Sequence, residues 1–198
     1  MPAFARCLAG MIDALGLERP HVLGLSWGST LALELYRQRP DVPRTLLLAA
    51  PYAGWAGSLP PETVAERVAT TLRDLGSLAP EAYARTWVPS LFTPRAPREV
   101  VEEAVRTMAG FRPSGVRPML LAMADADLRE VLPEVRVPTL LLCGAEDVRS
   151  PLEVVEVMHA AIPRSTLVVL PEVGHMANLE APEAFNRAVR GFLSAHGA

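Results

Sequence analysis

The sequence predicts an α/β fold in which a parallel sheet forms the core and a helical segment is inserted between two of its strands. Short apolar runs alternate with helical patterns at both ends of the 198-residue chain, which is typical of βαβ units. No strand-like run occurs from about residue 51 to residue 132. We therefore predict a core of residues 1–50 and 133–198, and a helical cap of residues 51–132.

The first half of the core reads as helix, strand, helix and strand. Apolar side chains at helical spacing predict a helix over residues 3–15, which Gly16 ends. An apolar strand over residues 21–25 follows, and then a helix over residues 28–38. The continuous apolar run of residues 45–50 predicts a strand that is buried on both faces.

The second half of the core continues this alternation. Two more continuous apolar runs, residues 139–143 and 166–170, predict further strands of the same buried kind. Helices are predicted over residues 152–161 and 183–194, and the second of them begins after Pro182. Because strands and helices alternate, the strands should run parallel with right-handed crossovers.

The cap is predicted to be entirely helical. A helical insertion between two parallel strands would lie over their carboxyl ends, which is where ligands bind in open α/β sheets. We therefore interpret the cap as a lid over a site. Its helical segments, broken by prolines, lie near residues 61–75, 80–88, 97–109 and 115–124.

A G-x-S-x-G motif, with the sequence GLSWG at residues 24–28, joins the first strand to its helix. A serine on so tight a turn lies in strained backbone and projects its hydroxyl outward. We expect that Gly24 and Gly28 are both required, because a Cβ at either position would collide with the neighbouring turn. The motif predicts Ser26 as a nucleophile at the N terminus of a helix, whose dipole points at the reacting centre.

A serine hydroxyl is a weak nucleophile at neutral pH, so Ser26 requires a base, and the base requires a carboxylate to orient it. His175 follows the last predicted strand and therefore lies at the same edge of the sheet as Ser26. Asp147 comes directly after strand 139–143 and is the predicted acid, with Glu146 as the alternative.

The other candidates for these two roles have simpler interpretations. His21 precedes the first strand, His159 lies within a helix, and His196 lies near the end of the chain. Asp125 and Asp127 lie where the cap returns to the sheet, and a capping or solvated carboxylate is the simpler interpretation of each.

Composition and charge exclude several classes of function. The formal net charge of −3 gives no reason to expect nucleic acid or a membrane as a partner, and no segment approaches the about 18 apolar residues of a membrane span. Cys7 and Cys143 lie far apart, which indicates free thiols in a reducing, cytoplasmic protein. No acidic or histidine cluster has metal-ligand spacing, since Glu172 with His175 is a weak signal, so no metal or cofactor is predicted.

The chain resembles the α/β-hydrolase superfamily through three blocks: GLSWG at residues 24–28, VPTLLLCGAED at residues 137–147, and GHMANLEAPE at residues 174–183. The resemblance implies an α/β-hydrolase fold and its Ser, Asp, His order along the chain. The third block is most similar to the branch of 3-oxoadipate enol-lactonase and related esterases. The elbow and its helix, residues 26–33, are more similar to proline iminopeptidases.

The resemblance also implies a departure from the family pattern. Members of this superfamily have strands ahead of the helix that leads to the elbow, whereas this chain starts inside that helix, so an N-terminally truncated sheet is expected. The absent part would carry the loop that donates one of two oxyanion-hole N–H groups, which leaves the N–H of Trp27. Strand 21–25 would then be a bare apolar edge, and we expect a homo-oligomer through it.

These residues predict a serine hydrolase that cleaves a small carboxylic ester or lactone through an acyl-enzyme intermediate. One alternative is an inactive or partner-dependent remnant of such an enzyme. Another is a proline iminopeptidase-like enzyme that holds the substrate ammonium with an acidic group of the cap. The predicted walls of the substrate pocket are Trp27, Trp55, Trp87 and Met176. The acidic groups available in the cap are Glu62, Glu66, Glu81, Glu99, Glu102 and Glu103.

Overall fold

A computed structural model describes residues 1–196 of the chain, which form a four-stranded parallel sheet with helices packed on it. The strands lie in the order β1-β2-β3-β4, so their carboxyl ends meet at one edge. The strands and the helices of the core are β1 (His21–Leu25), β2 (Thr45–Ala49), β3 (Thr139–Gly144), β4 (Ser165–Leu170), α1 (Pro2–Ala14), α2 (Trp27–Gln38), α7 (Leu152–Ala161), α8 (Ala177–Glu180) and α9 (Pro182–His196).

Two apolar layers hold helices against the two faces of the sheet. On one face, Leu46, Leu48 and Leu141 pack against helices α2 and α7. On the other face, Leu47 and Leu140 pack against helix α9. The two central strands are buried along their whole length, as their continuous apolar sequences predict.

The last strand differs from the prediction of burial on both faces. In β4, Thr166 is exposed and Val169 is 36% exposed. The physical reason is position, because β4 pairs only with β3 among the described residues and therefore lies at an edge of the sheet. An apolar run does not distinguish a central strand from an edge strand.

The first strand forms the opposite edge of the sheet. Within residues 1–196, β1 pairs only with β2, and Leu23 is 47% exposed. Pairing of two copies through this edge stays a prediction. Across the part of the chain that the structure describes, no helix has the length and apolar character needed to cross a bilayer.

Between β2 and β3 the chain forms helices and no strand, and we call residues 51–132 the cap. Three of the cap helices begin with a proline, which has no backbone N–H. Nothing is lost at this position, because the first N–H groups of a helix have no acceptor within it. Two 3₁₀ segments, Val88–Leu91 and Arg129–Glu134, were not predicted from the sequence. The cap helices are α3 (Pro61–Ser77), α4 (Pro80–Trp87), α5 (Arg98–Ala109) and α6 (Pro113–Ala124).

The turn between β1 and α2 requires one of its two glycines. A Cβ added to Gly24 would lie 2.1 Å from the carbonyl oxygen of Gly28, so any side chain there would displace the backbone. A Cβ added to Gly28 would meet nothing within 4 Å. The expectation that both glycines prevent a collision is therefore wrong for Gly28, which faces open space.

This difference predicts opposite effects of two alanine substitutions four residues apart. Gly24→Ala should lower the free energy of unfolding by at least about 2 kcal/mol, because the clash is with backbone and cannot relax by a rotamer change. Gly28→Ala should change it by less than about 1 kcal/mol, since alanine favours the helix. Urea unfolding followed by circular dichroism measures both, and equal losses would contradict the structure of the turn.

Candidate active site

Ser26 lies at the carboxyl end of β1 with φ 53° and ψ −112°. A non-glycine residue rarely adopts such angles, and the strain costs about 1–3 kcal/mol, so the surrounding structure must impose it. The N–H of Ser26 donates to the carbonyl oxygen of Ala49 at 2.8 Å, and its carbonyl oxygen accepts from the hydroxyl of Ser29 at 2.5 Å. These contacts fix the residue between strand and helix.

His175 and Asp147 form a buried pair at the same edge of the sheet. The Nδ1 atom of His175 lies 2.8 Å from Oδ2 of Asp147, and the two side chains are 5% and 0% exposed. The other oxygen, Oδ1, accepts from the N–H groups of Arg149 and Ser150, each at 2.8 Å. An ionised carboxylate only accepts hydrogen bonds, so Nδ1 of a neutral ring carries the hydrogen and Nε2 is left as an acceptor.

The loops after β3 and β4 are joined by backbone contacts that position this pair. The N–H of Ala145 donates to the carbonyl oxygen of Leu170 at 2.8 Å, and that of Glu146 donates to the carbonyl oxygen of Val173 at 2.9 Å. Gly144 permits this approach, because a Cβ there would lie 2.1 Å from the Val173 carbonyl oxygen. The two loops therefore act as one unit.

Of the candidate acids, the structure brings Asp147 to His175 and leaves the others elsewhere. Glu146 is exposed and forms an ion pair with Arg95. Asp125 is exposed at the C-terminal end of α6. Asp127 pairs with Arg129 and accepts the N–H of that residue, which is a capping role.

The remaining histidines occupy positions with local partners. His21 lies 2.8 Å from the hydroxyl of Thr45, and His159 lies 2.7 Å from the hydroxyl of Ser165. The ring of His196 packs on that of Phe192.

Ser26 and the His175–Asp147 pair follow three strands of one parallel sheet, at its carboxyl edge. Among residues 1–196, no hydrogen bond joins the Ser26 hydroxyl to the His175 ring. Hydrogen bonds of this kind are often long in unliganded sites and shorten when substrate binds. The N–H of Trp27 begins α2 and donates to no described acceptor, so it is available to a ligand.

The predicted pocket walls have different surroundings. The indole N–H of Trp27 donates to the carbonyl oxygen of Met119 at 2.9 Å, which ties the elbow to the cap. Trp55 is 8% exposed and belongs to the apolar cluster of the cap. The ring of Trp87 packs against the guanidinium of Arg149. Met176, the residue after His175, lines a cavity.

This cavity has a volume of about 560 Å³ and lies between the cap and the segment that follows His175. Its walls are mostly apolar, and Glu99 and Glu103 also border it. Among residues 1–196, no group of three His, Cys, Asp or Glu side chains could hold a metal ion. The apolar side chains that line the cavity include Val88, Leu91, Val100, Met108, Phe111 and Met176.

The sequence analysis missed the part played by Glu180. Its Oε2 atom accepts the N–H of Gly174 at 2.9 Å, and its Oε1 atom accepts the N–H of Thr93 at 3.1 Å and also the Thr93 hydroxyl. One carboxylate therefore joins the cap to the residue before His175. The available signal was the position of Glu180 within the GHMANLEAPE block.

With this geometry established, comparison with known proteins decides the family. Residues 2–188 match the Alpha/beta hydrolase family. The chain belongs to this family. The predictions of an α/β-hydrolase fold and of membership in this superfamily are therefore confirmed.

Individual relatives of this hydrolase are consistent with that assignment. A protein of Caulobacter sp. (strain K31), named "Putative carbamate hydrolase RutD", is 32% identical over 193 residues, which are 95% of this chain and 70% of the relative. A thermophilic esterase from Thermogutta terrifontis, solved with malate bound, is 32% identical with a TM-score of 0.88, covering 98% of this chain and 72% of the esterase. A hydrolase from Pseudomonas aeruginosa PA01 is 30% identical with a TM-score of 0.84, covering 96% and 70%.

The contacts of Glu180 predict that it holds the cap on the loop of His175. Glu180→Ala should expose the N–H groups of Thr93 and Gly174, because a charge-assisted hydrogen bond contributes about 1.5–3 kcal/mol. We expect these two amides to exchange at least about tenfold faster in hydrogen–deuterium exchange. Glu183→Ala is the control, since the Glu183 side chain is 93% exposed. Equal exchange in the two variants would show that Glu180 does not hold the cap.

Proposed function

We propose that this member of the alpha/beta hydrolase family is a serine hydrolase that cleaves a carboxylic ester or a lactone through an acyl-enzyme intermediate. The observation that carries the proposal is the buried 2.8 Å contact between His175 and Asp147, at the sheet edge where Ser26 begins the turn into α2. The likeness to esterases of known structure supports the same bond class.

In the proposed reaction, the Ser26 hydroxyl oxygen attacks the substrate carbonyl carbon while Nε2 of His175 takes the hydroxyl proton. Asp147 stabilises the resulting imidazolium through Nδ1. The tetrahedral intermediate then collapses, the carbon–oxygen bond to the leaving alcohol breaks, and His175 returns the proton to that alcohol. The acyl group stays on Ser26.

Water completes the proposed cycle. His175 removes a proton from a water molecule, which attacks the acyl carbon and releases the acid, and the proton returns to the Ser26 oxygen. The unpaired N–H of Trp27 would stabilise the oxyanion in both steps. A single donor of this kind contributes about 10²–10³ in rate.

The cavity beside Met176 supports a substrate with an apolar part. It adjoins the residue that follows His175, and mostly apolar side chains line it. Burial of an alkyl or aryl group there would contribute about 25 cal/mol per Å² of apolar surface removed from water. We propose that this cavity binds the apolar part of the ester.

Amide cleavage at an N-terminal proline is the second candidate. The observation that favours it is that Glu99 borders the cavity and could hold a substrate ammonium. Glu81 and Glu102 instead pair with Arg85, and Glu103 pairs with Arg106. The relatives named as carbamate hydrolases make a carbamate a further test substrate, since the same acyl transfer would apply.

Substitution of the nucleophile tests the proposal directly. Ser26→Ala should reduce turnover of a p-nitrophenyl ester by at least about 10³-fold, because no other group supplies the attacking oxygen. Ser77→Ala is the control, since this hydroxyl lies in the cap and donates to the carbonyl oxygen of Arg73. Initial rates are measured together with circular dichroism spectra to verify folding.

A prolyl-anilide and a p-nitrophenyl carbamate are assayed in parallel. Faster turnover of the anilide would favour the aminopeptidase candidate, and no turnover of any substrate would favour the inactive remnant. Ester turnover that survives in Ser26→Ala would overturn the assignment of the nucleophile.

A further inference from the structure

Two arginines lie where the cap meets the loop that carries Asp147. Arg67 belongs to α3, and Arg149 follows Asp147 by two residues. The Arg67 guanidinium donates from Nη1 to the hydroxyl oxygen of Tyr52 at 3.1 Å and from Nη2 to the carbonyl oxygen of Arg149 at 3.2 Å. Tyr52 is 1% exposed, so the pair is anchored to the core of the protein.

Both guanidinium groups rest on tryptophan rings of the cap. The Cζ atom of Arg67 lies 5.4 Å from the centroid of the Trp55 ring, and that of Arg149 lies 4.8 Å from the centroid of the Trp87 ring. Such stacking fixes the plane of a guanidinium. This contact leaves the N–H groups of Arg149, and those of Arg67 that do not donate to Tyr52 or Arg149, free to bind another group.

Neither arginine has an acidic partner within the part of the chain that the structure describes. Neither side chain forms an ion pair with a carboxylate, and the guanidinium of Arg149 donates no hydrogen bond to residues 1–196. Two more exposed arginines do have such partners, since Arg85 pairs with Glu81 and Arg129 pairs with Asp127.

This arrangement is costly for the protein alone. A guanidinium carries five N–H donors, and burying it without acceptors costs free energy. Arg149 is half-buried, and burial lowers the pKa of its guanidinium, with the nearby positive charge of Arg67 adding to the effect. A bound anion would remove both penalties.

We infer that Arg67 and Arg149 form a subsite for a carboxylate of the substrate, an inference that rests on the proposed hydrolase function. Two positive charges stand beside the one buried negative charge of Asp147, so a single further negative charge balances the site. The planar fork of a guanidinium matches both oxygens of a carboxylate. The preferred substrate is therefore a half-ester of a dicarboxylic acid or an ester of similar charge.

The subsite and the apolar cavity border the same stretch of the cap. Trp87, which lies under Arg149, is the last residue of α4. The 3₁₀ segment that follows it contributes Val88 and Leu91 to the cavity. In the proposed arrangement, one substrate places an alkyl segment in the cavity and a carboxylate on the arginines.

A charge series of acyl groups tests this inference. The p-nitrophenyl esters of pimelic acid (as half-ester), heptanoic acid and 7-aminoheptanoic acid differ mainly in the charge at the far end of the acyl chain. We expect kcat/KM of the wild-type protein to be about 10- to 100-fold higher for the anionic ester than for the neutral one, and lowest for the cationic ester.

Substitutions of Arg149 test whether this residue causes the preference for the anionic ester. Arg149→Met keeps an apolar contact with Trp87 and should abolish most of the ratio of kcat/KM for anionic over neutral ester. Arg149→Lys keeps the charge without the fork and should retain part of the ratio. Arg190→Met, on the exposed side of α9, is the matched control and should leave the ratio unchanged.

The outcomes separate this inference from the proposed function. Turnover of the neutral ester with no anionic preference, or a preference that survives in Arg149→Met, would overturn the subsite and leave the hydrolase assignment standing. If no ester is cleaved, the proposed ester hydrolysis fails, and pimelate titration with tryptophan fluorescence tests the subsite alone. Quenching in the wild-type protein that Arg149→Met abolishes supports the subsite, and its absence overturns it.

Discussion

The hydrogen bond between His175 and Asp147 is the interaction on which the candidate active site depends. Both groups are buried, and a buried carboxylate that lost its partners would cost several kcal/mol. Asp147 is therefore satisfied from two sides, by the imidazole and by two backbone N–H groups of its own loop. Because backbone contacts join that loop to the loop after β4, the orientation of the imidazole is fixed by the sheet itself.

The parallel sheet brings the His175–Asp147 pair to the same edge as Ser26. All four strands end at one edge, so Ser26 and Asp147, which are more than 100 positions apart in the sequence, lie at the same edge of the sheet. The strained backbone at Ser26 stores about 1–3 kcal/mol, which the pairing of β1 with β2 and the start of α2 offset. The cap contributes most of the cavity walls, and the hydrogen bonds of Glu180 hold the cap on the loop of His175.

Much of this architecture could be predicted from sequence because local patterns determine it. Apolar runs located the strands, prolines marked the cap helices, and the GLSWG motif placed Ser26 on its turn. The remaining features depend on contacts between distant segments. The exposure of β4 follows from its place at an edge of the sheet. The open space at Gly28 depends on what surrounds α2. The contacts of Glu180 and Arg149 form only when the cap packs on the core.

Covalent labelling tests the central claim most directly, namely that the buried pair activates a serine on another strand. A fluorophosphonate should form one adduct, located at Ser26 by mass spectrometry of the digested protein. His175→Ala should slow this labelling by at least about 10³-fold, because the base that removes the hydroxyl proton is gone. Labelling of Ser26 at the same rate in wild-type protein and His175→Ala would contradict the account.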